Sequence, residues 1–241
     1  MKSYPALIHV THWKAGSQWV RKILNDCLPQ RIITPELGSR HFIGAQILEG
    51  NVYPTAYVTR QEFYDARLPA NWVRFVVIRD LRDTLVSAYF SLRYSHSTIA
   101  SSITEMRNVL SEMDIDDGMI YLMDQWLPAS ARIQSSWVET DENLIHFEDL
   151  ISGKDLEVFE EILITKAGFP ITREHLRDVL LGNRFENLAG RKPGQENVKE
   201  HMRKGIAGDW QNYFSPRVKD EFLKRYGDLL IATNYEKDLA W

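Results

Sequence analysis

The chain has 241 residues, 44% of them hydrophobic and 26% charged, as in a globular protein large enough for a self-sufficient core. Its formal net charge of −4 argues against bulk attraction to nucleic acid or to an anionic membrane, so any anion must be held by positive charge gathered locally. No run approaches the roughly 18 apolar residues of a membrane span, and His9 interrupts the only apolar stretch near the start, so a signal peptide is not expected.

The single Cys27 cannot pair within the chain, and a reducing, cytoplasmic setting is the expectation. Ala6–Val10 reads as a short buried strand. It runs into Thr11-His12-Trp13-Lys14-Ala15-Gly16-Ser17-Gln18-Trp19, a tight turn, and then a helix whose apolar positions 19, 20, 23, 24, 27 and 28 share one face. Cys27 lies on that face and is read as a small core residue. The turn offers a lysine, a glycine that permits close backbone approach, and a serine suited to cap the helix. Free N–H groups and the positive end of the helix dipole make such a start fit for a phosphate or sulfate. The nucleoside-triphosphate pattern GxxxxGK[ST] is absent, because Lys14 precedes Gly16. On these residues alone, a strand-turn-helix that binds nothing stays open.

Residues 29–54, punctuated by Pro and Gly, read as a loop with short helical pieces. Thr55–Thr59 reads as a second strand, and Trp72–Ile78 as a central parallel strand by its near-continuous apolar run. A helix follows from about Thr84, with Leu85, Ala88, Tyr89 and Leu92 on one face. Residues 95–104, rich in Ser and Thr, look lid-like; helical stretches follow at 103–113 and 118–137. Asn143–Phe147 is a short strand closed by Glu148 and Asp149, and helices near 155–167, 173–181 and 216–232 complete the pattern. Strands alternating with helices predict a three-layer α/β fold, with a central, mostly parallel sheet flanked by helices, in a single domain over 1–241.

Such sheets bind ligands beyond the carboxyl ends of their strands. Two further basic segments fall in such places. Arg79 ends the central strand, with Ser87 eight residues on; its planar fork matches a phosphate, although a loop salt bridge to Asp80 or Asp83 is the competing reading. Arg203-Lys204-Gly205-Ile206-Ala207-Gly208-Asp209-Trp210 fits a loop folding over an anion with an aromatic lid, or a solvated basic run.

Taken together and in order, these segments resemble the sulfotransferases that use 3′-phosphoadenylyl sulfate (PAPS). Thr11–Trp19 is similar to the family's T-Y-P-K-[SA]-G-[ST]-[TN]-W loop, Val77–Ser87 to its 3′-phosphate motif, Phe147-Glu148-Asp149-Leu150 to its Y-E-D-L strand end, and Arg203–Phe214 to its R-K-G-x-x-G-D-W-[KR]-N-x-F signature. The resemblance implies that backbone N–H groups of Ala15, Gly16, Ser17, Gln18 and Trp19, with the Ser17 hydroxyl, hold the 5′-phosphosulfate. It implies that Lys14 reaches the bridging oxygen, with Ser87 helping to control its position. Arg79, Ser87, Arg203, Lys204 and Gly205 would grip the 3′-phosphate, and Trp19, Phe147 and Phe185 would flank the adenine, with core packing as the alternative for these aromatics. The product would be adenosine 3′,5′-bisphosphate (PAP), and no metal is implied.

The base that takes the acceptor's proton departs from the pattern. Many relatives carry Thr-His-x-Pro before the central strand, where this chain has Thr59-Arg60-Gln61-Glu62. Other relatives use a glutamate from the loop after the first helix, which here offers Glu36 and His41. His41 ranks first, then Glu36 and Glu62, while His9 and His12 read as structural. The lid region, roughly 91–125, lacks a dense basic stripe, which favours a small hydroxylated acceptor (or an amine) over a polyanionic glycan. A non-catalytic PAP-binding protein of the same fold, or a glycan or lipid acceptor, are the alternatives; nothing in the sequence indicates oligomeric state.

Overall fold

Four short runs rich in apolar and β-branched residues pair into one sheet. In the computed structural model, which describes residues 3–34, 42, 44–95, 101–138 and 142–241, these are β1 (Ala6–Thr11), β2 (Val52–Ala56), β3 (Trp72–Ile78) and β4 (Leu144–His146). All neighbours are parallel, in the order β2-β1-β3-β4. Among the described residues, the α-helices of five residues or more are α1 (Ser17–Cys27), α2 (Arg60–Asp65), α3 (Leu81–Phe90), α4 (Ser101–Ser111), α5 (Ile115–Gln125), α6 (Leu127–Val138), α7 (Asp155–Glu160), α8 (Arg173–Gly182), α9 (Phe185–Ala189) and α10 (Pro216–Ala232). None of the described helices is long and apolar enough to cross a membrane.

The chain forms two compact units, residues 1–79 with 132–188 and residues 80–131 with 189–241. The sheet lies in the first. Register pairs Leu7 with Val52 and Val73, and His9 with Phe75, so these side chains share one face. That face packs on the apolar stripes of α1 and α8 and on Phe159 of α7, through Val20, Ile23, Leu24, Leu176 and Leu180. The opposite face is built around a cation. The Arg74 guanidinium lies 5.1–5.2 Å from the rings of Phe63, Tyr64, Trp72 and Trp137 and pairs with Glu142, which compensates its charge in an aromatic setting. With helices on both faces, the expected three-layer α/β arrangement is present. The second unit closes over Leu85, Val86 and Tyr89 of α3, Met119 and Leu122 of α5, and Val218 and Phe222 of α10.

Three local expectations are corrected. The second strand runs over Val52–Ala56 instead of Thr55–Thr59, starting three residues earlier, inside the expected loop, and stopping short because Thr59 caps α2: its hydroxyl accepts the Glu62 N–H while Glu62 reaches back to the Thr59 N–H. The helix expected over 118–137 is two helices, broken at Trp126. Pro128, in the first turn of α6, has no N–H to continue the helix before it. The expected serine cap on α1 is also absent, as described below.

Candidate functional site

The Thr11 hydroxyl donates to the Val77 carbonyl at 2.9 Å, holding the end of β1 against β3. His12 is fully buried, with Nδ1 3.0 Å from the Trp13 carbonyl and Nε2 accepting the Arg79 N–H at 3.1 Å. These partners place its proton on Nδ1. Burial, reinforced by the Arg79 charge, lowers it to about 4, so the imidazole is neutral at physiological pH.

Lys14 and Gly16 both take left-handed backbone, at φ 66° and 79°. Gly16 occupies the cap position of α1 and no side chain caps the first turn, so its N–H groups stay available to a ligand. Ser17 is instead the first helical residue, and its hydroxyl bonds the Tyr57 hydroxyl at 2.8 Å. A Cβ on residue 16 would fall 2.2 Å from the Phe147 ring, so glycine is required for contact as well as for φ. Burial, and then the Arg79 charge, push Lys14 down to about 8. Ala15 is buried and Gln18 exposed.

Arg79 donates from Nη1 to the Lys14 carbonyl at 3.0 Å, and its guanidinium lies 5.2 Å from the centre of the Phe147 ring. Gln134 of α6 donates to the Arg79 carbonyl at 3.0 Å. Trp19 meets Phe147 edge-on at 6.1 Å and donates its indole N–H to the Asn183 carbonyl at 2.7 Å; Phe185 opens α9 two residues later. The first unit thus gathers Lys14, Gly16, Ser17, Trp19, Arg79 and Phe147 at the carboxyl ends of β1, β3 and β4. The Phe147 ring supports the turn through Gly16 and Arg79.

The second unit organises the remaining residues. Asp80 and Asp83 serve its own framework: Asp80 caps α3 and pairs with Arg82 at 2.7 Å, while Asp83 accepts the N–H groups of Gly208 and Trp210 at 2.8 and 2.9 Å. Ser87 is half-buried on α3. Gly205 and Gly208 both have positive φ, which lets the basic loop turn tightly. Arg203 pairs with Asp209 and Glu196 and lies 4.5 Å from the Phe90 ring, and Lys204 pairs with Asp209 at 2.6 Å. Against burial, Asp209 holds both cations above their ordinary ranges. The segment is therefore not a solvated run. Nor is Trp210 a lid, since its ring packs 4.0 Å from the Arg82 guanidinium, with Trp241 at 4.3 Å from the same group.

Of the residues considered as base, His41 and Glu36 lie outside the described residues. Glu62 accepts the Thr59 N–H at 2.7 Å and its hydroxyl at 2.9 Å. Although burial pushes its carboxyl up, the Thr59 bonds and the Arg132 charge hold it below the usual range. Its carboxylate is committed to capping α2. Sequence reasoning missed Tyr57, counted as a strand residue, because no spacing in the chain connects it to Ser17. No group of three or more His, Cys, Asp or Glu among the described residues is placed to hold a metal ion.

The chain matches no curated protein sequence. Among solved structures, mouse sulfotransferase SULT7A1 complexed with PAP aligns with a TM-score of 0.63 at 16% identity, covering 98% of this chain and 89% of that one. Retinol dehydratase in complex with androsterone and inactive cofactor PAP aligns with a TM-score of 0.53 at 14% identity, covering 93% of this chain and 80% of that one. Identities at this level show a common fold. A family profile described as sulfotransferase domain matches residues 74–234, from β3 through α10, and takes in Arg79, Phe147 and the Arg203–Trp210 loop. By that match over more than half its length, the chain belongs to the sulfotransferase domain family.

Proposed function

We propose that the protein is a PAPS-dependent sulfotransferase that transfers sulfonate to a hydroxyl (or amine) of a small molecule and releases PAP. The observation that carries this is the turn from Lys14 to Ser17: an uncapped helix start, a lysine in left-handed backbone, and Arg79 hydrogen-bonded to that lysine's carbonyl. PAPS supplies an activated sulfonate whose transfer, like phosphoryl transfer, passes through a loose transition state with charge growing on the leaving oxygen. The first-turn N–H groups and Lys14 meet that charge already oriented, so they bind it more tightly as it develops. Arg79 offers a planar fork for the 3′-phosphate, which separates PAPS from ATP.

The motif resemblance assigns Ser87, Arg203, Lys204 and Gly205 to the same phosphate, and Trp19, Phe147 and Phe185 to the adenine. It also supports the whole chain as one sulfotransferase domain, and the single cysteine supports a cytoplasmic setting. A structural neighbour solved with androsterone supports a small-molecule acceptor. With Glu62 committed to α2, His41 leads as the base and Glu36 follows.

Calorimetric titration with PAP, 5′-AMP and ATP tests the donor site. The natural protein prefers PAP, and Arg79→Ala loses about 1.5–3 kcal/mol of that preference, the worth of a hydrogen bond to a charged group. Equal binding of all three nucleotides refutes the assignment. For catalysis, Lys14→Ala abolishes PAPS consumption while retaining the fold; turnover near the natural rate refutes the mechanism.

A further inference from the structure

The strand order gives the turn after β1 two chemically different sides. β3 and β4 supply Arg79 and Phe147 on one side, while β2 flanks the other and delivers Tyr57 just past its end. The Tyr57 ring stacks on Trp13 with centroids 4.7 Å apart and planes inclined by 21°, which fixes where its hydroxyl lies. That hydroxyl sits 2.8 Å from Ser17 Oγ, at the first residue of α1, where the uncapped N–H groups converge.

Two hydroxyls in contact must divide the roles of donor and acceptor. A phenol is a much stronger acid than an aliphatic alcohol and therefore the better donor. Burial pushes the Tyr57 phenol further up, against the Ser17 bond and the Arg21 charge, so it keeps its proton at neutral pH. If Ser17 donated to Tyr57, only its lone pairs would face an anion at the helix start, and they would repel it. With Tyr57 donating, the Ser17 proton is left for the anion, and the two bonds polarise each other in the same sense.

We propose that Tyr57 is a positioning residue for the donor: its hydroxyl donates to Ser17 Oγ and so commits the Ser17 hydroxyl to the 5′-phosphosulfate. This rests on the PAPS reading above. It adds a residue that acts on the 5′ end of the nucleotide only, through Ser17, and is indifferent to the 3′-phosphate.

That selectivity is the test. Tyr57→Phe keeps the ring on Trp13 and removes one oxygen. Affinities for PAP and for adenosine 3′-monophosphate, which lacks the 5′-phosphate, are measured by calorimetry on the natural protein, Tyr57→Phe, Ser17→Ala and the double variant. Tyr57→Phe weakens PAP about tenfold, in line with loss of one polarising hydrogen bond, and leaves adenosine 3′-monophosphate unchanged. The double variant binds PAP no more weakly than Ser17→Ala alone, because Tyr57 has nothing left to orient. PAP affinity unchanged in Tyr57→Phe, equal weakening of both nucleotides, or additive losses in the double variant each overturn the proposal while leaving the donor reading intact. A natural protein that binds neither nucleotide removes that reading and the role of Tyr57 with it.

Discussion

Gly16→Ala probes the geometry on which the donor site depends. Two costs add. The residue sits at φ 79°, where an L side chain loses about 1–2 kcal/mol relative to glycine. Its new Cβ would also lie 2.2 Å from Phe147 Cε2 and 2.6 Å from Cδ2, well inside contact distance. The ring has little freedom to yield, since the Arg79 guanidinium lies 5.2 Å from its centre and Trp19 meets it edge-on. Forcing a carbon into such packing typically costs about 1–3 kcal/mol. The sum, about 2–5 kcal/mol, is a large fraction of the stability of an ordinary domain. Urea unfolding of the natural protein, Gly16→Ala, Phe147→Ala and the double variant separates the two parts. In the Phe147→Ala background the contact term vanishes and Gly16→Ala costs only the backbone share, about 1–2 kcal/mol. An equal cost in both backgrounds would show that the ring does not press on residue 16, and a cost below about 1 kcal/mol in the natural background would refute the left-handed turn as well.

Two further expectations concern the second unit and the lysine. Asp83 is buried and accepts two backbone N–H groups from the Gly208–Trp210 segment, so Asp83→Ala should cost about 2–4 kcal/mol and open that loop to proteolysis; unchanged stability and unchanged cleavage would dismiss it as the anchor. Lys14, lowered to about 8 by burial and Arg79, is partly deprotonated in the free protein just above neutrality, and a bound phosphate raises it again. PAP binding at about pH 8.5 should therefore take up protons, seen as a binding heat that varies with the ionisation enthalpy of the buffer, a dependence that is lost in Lys14→Met. A heat independent of buffer would refute this.

What could be read in the sequence was whatever local periodicity or a short-range signal encodes. The bounds of α10 follow from Ser215 at the cap and Pro216 in the first turn, and β3 from its apolar run. The T-x-x-E pattern at Thr59–Glu62 is equally local; it was present to be read as a helix start and would have moved β2 to its true place. Pro128 likewise signals the break after α5. The rest depends on contacts between distant segments. That Gly16 is needed because Phe147 lies against it, that Ser17 turns to Tyr57, and that Asp83 holds the loop before Trp210 are all products of strand order and packing, to which spacing along the chain is blind. The motif itself misplaced Trp210: an aromatic beside two cations suggests a lid, yet the ring is spent on Arg82.

The same packing makes the protein sensitive to mild acid. His9 and His12 are fully buried, and burial lowers each from 6.5 to about 4. His9 directs Nδ1 to the Pro54 carbonyl at 2.7 Å and stacks on Phe75, while its Nε2 has no hydrogen-bond partner among the described residues. His12 uses its Nε2 to accept the Arg79 N–H, so a second ring proton would set two donors against each other. The sign follows directly. Between pH 6.5 and about 4 the unfolded chain binds protons that the native one refuses, so unfolding is favoured as pH falls through that window, and the stability is fully present only above it. Shifts of this size correspond to about 3 kcal/mol for each histidine. Most of this loss precedes that of paired carboxylates such as Glu221, which its Lys224 and Arg225 partners hold down to about 2. Urea unfolding at a series of pH values should therefore show stability falling between neutrality and pH 4.5, with His12→Gln, which keeps an acceptor for Arg79, removing about half the slope. A flat profile down to pH 5 would mean that both rings accept a proton in the native state, and His12 could not then be holding Arg79 through a bare nitrogen.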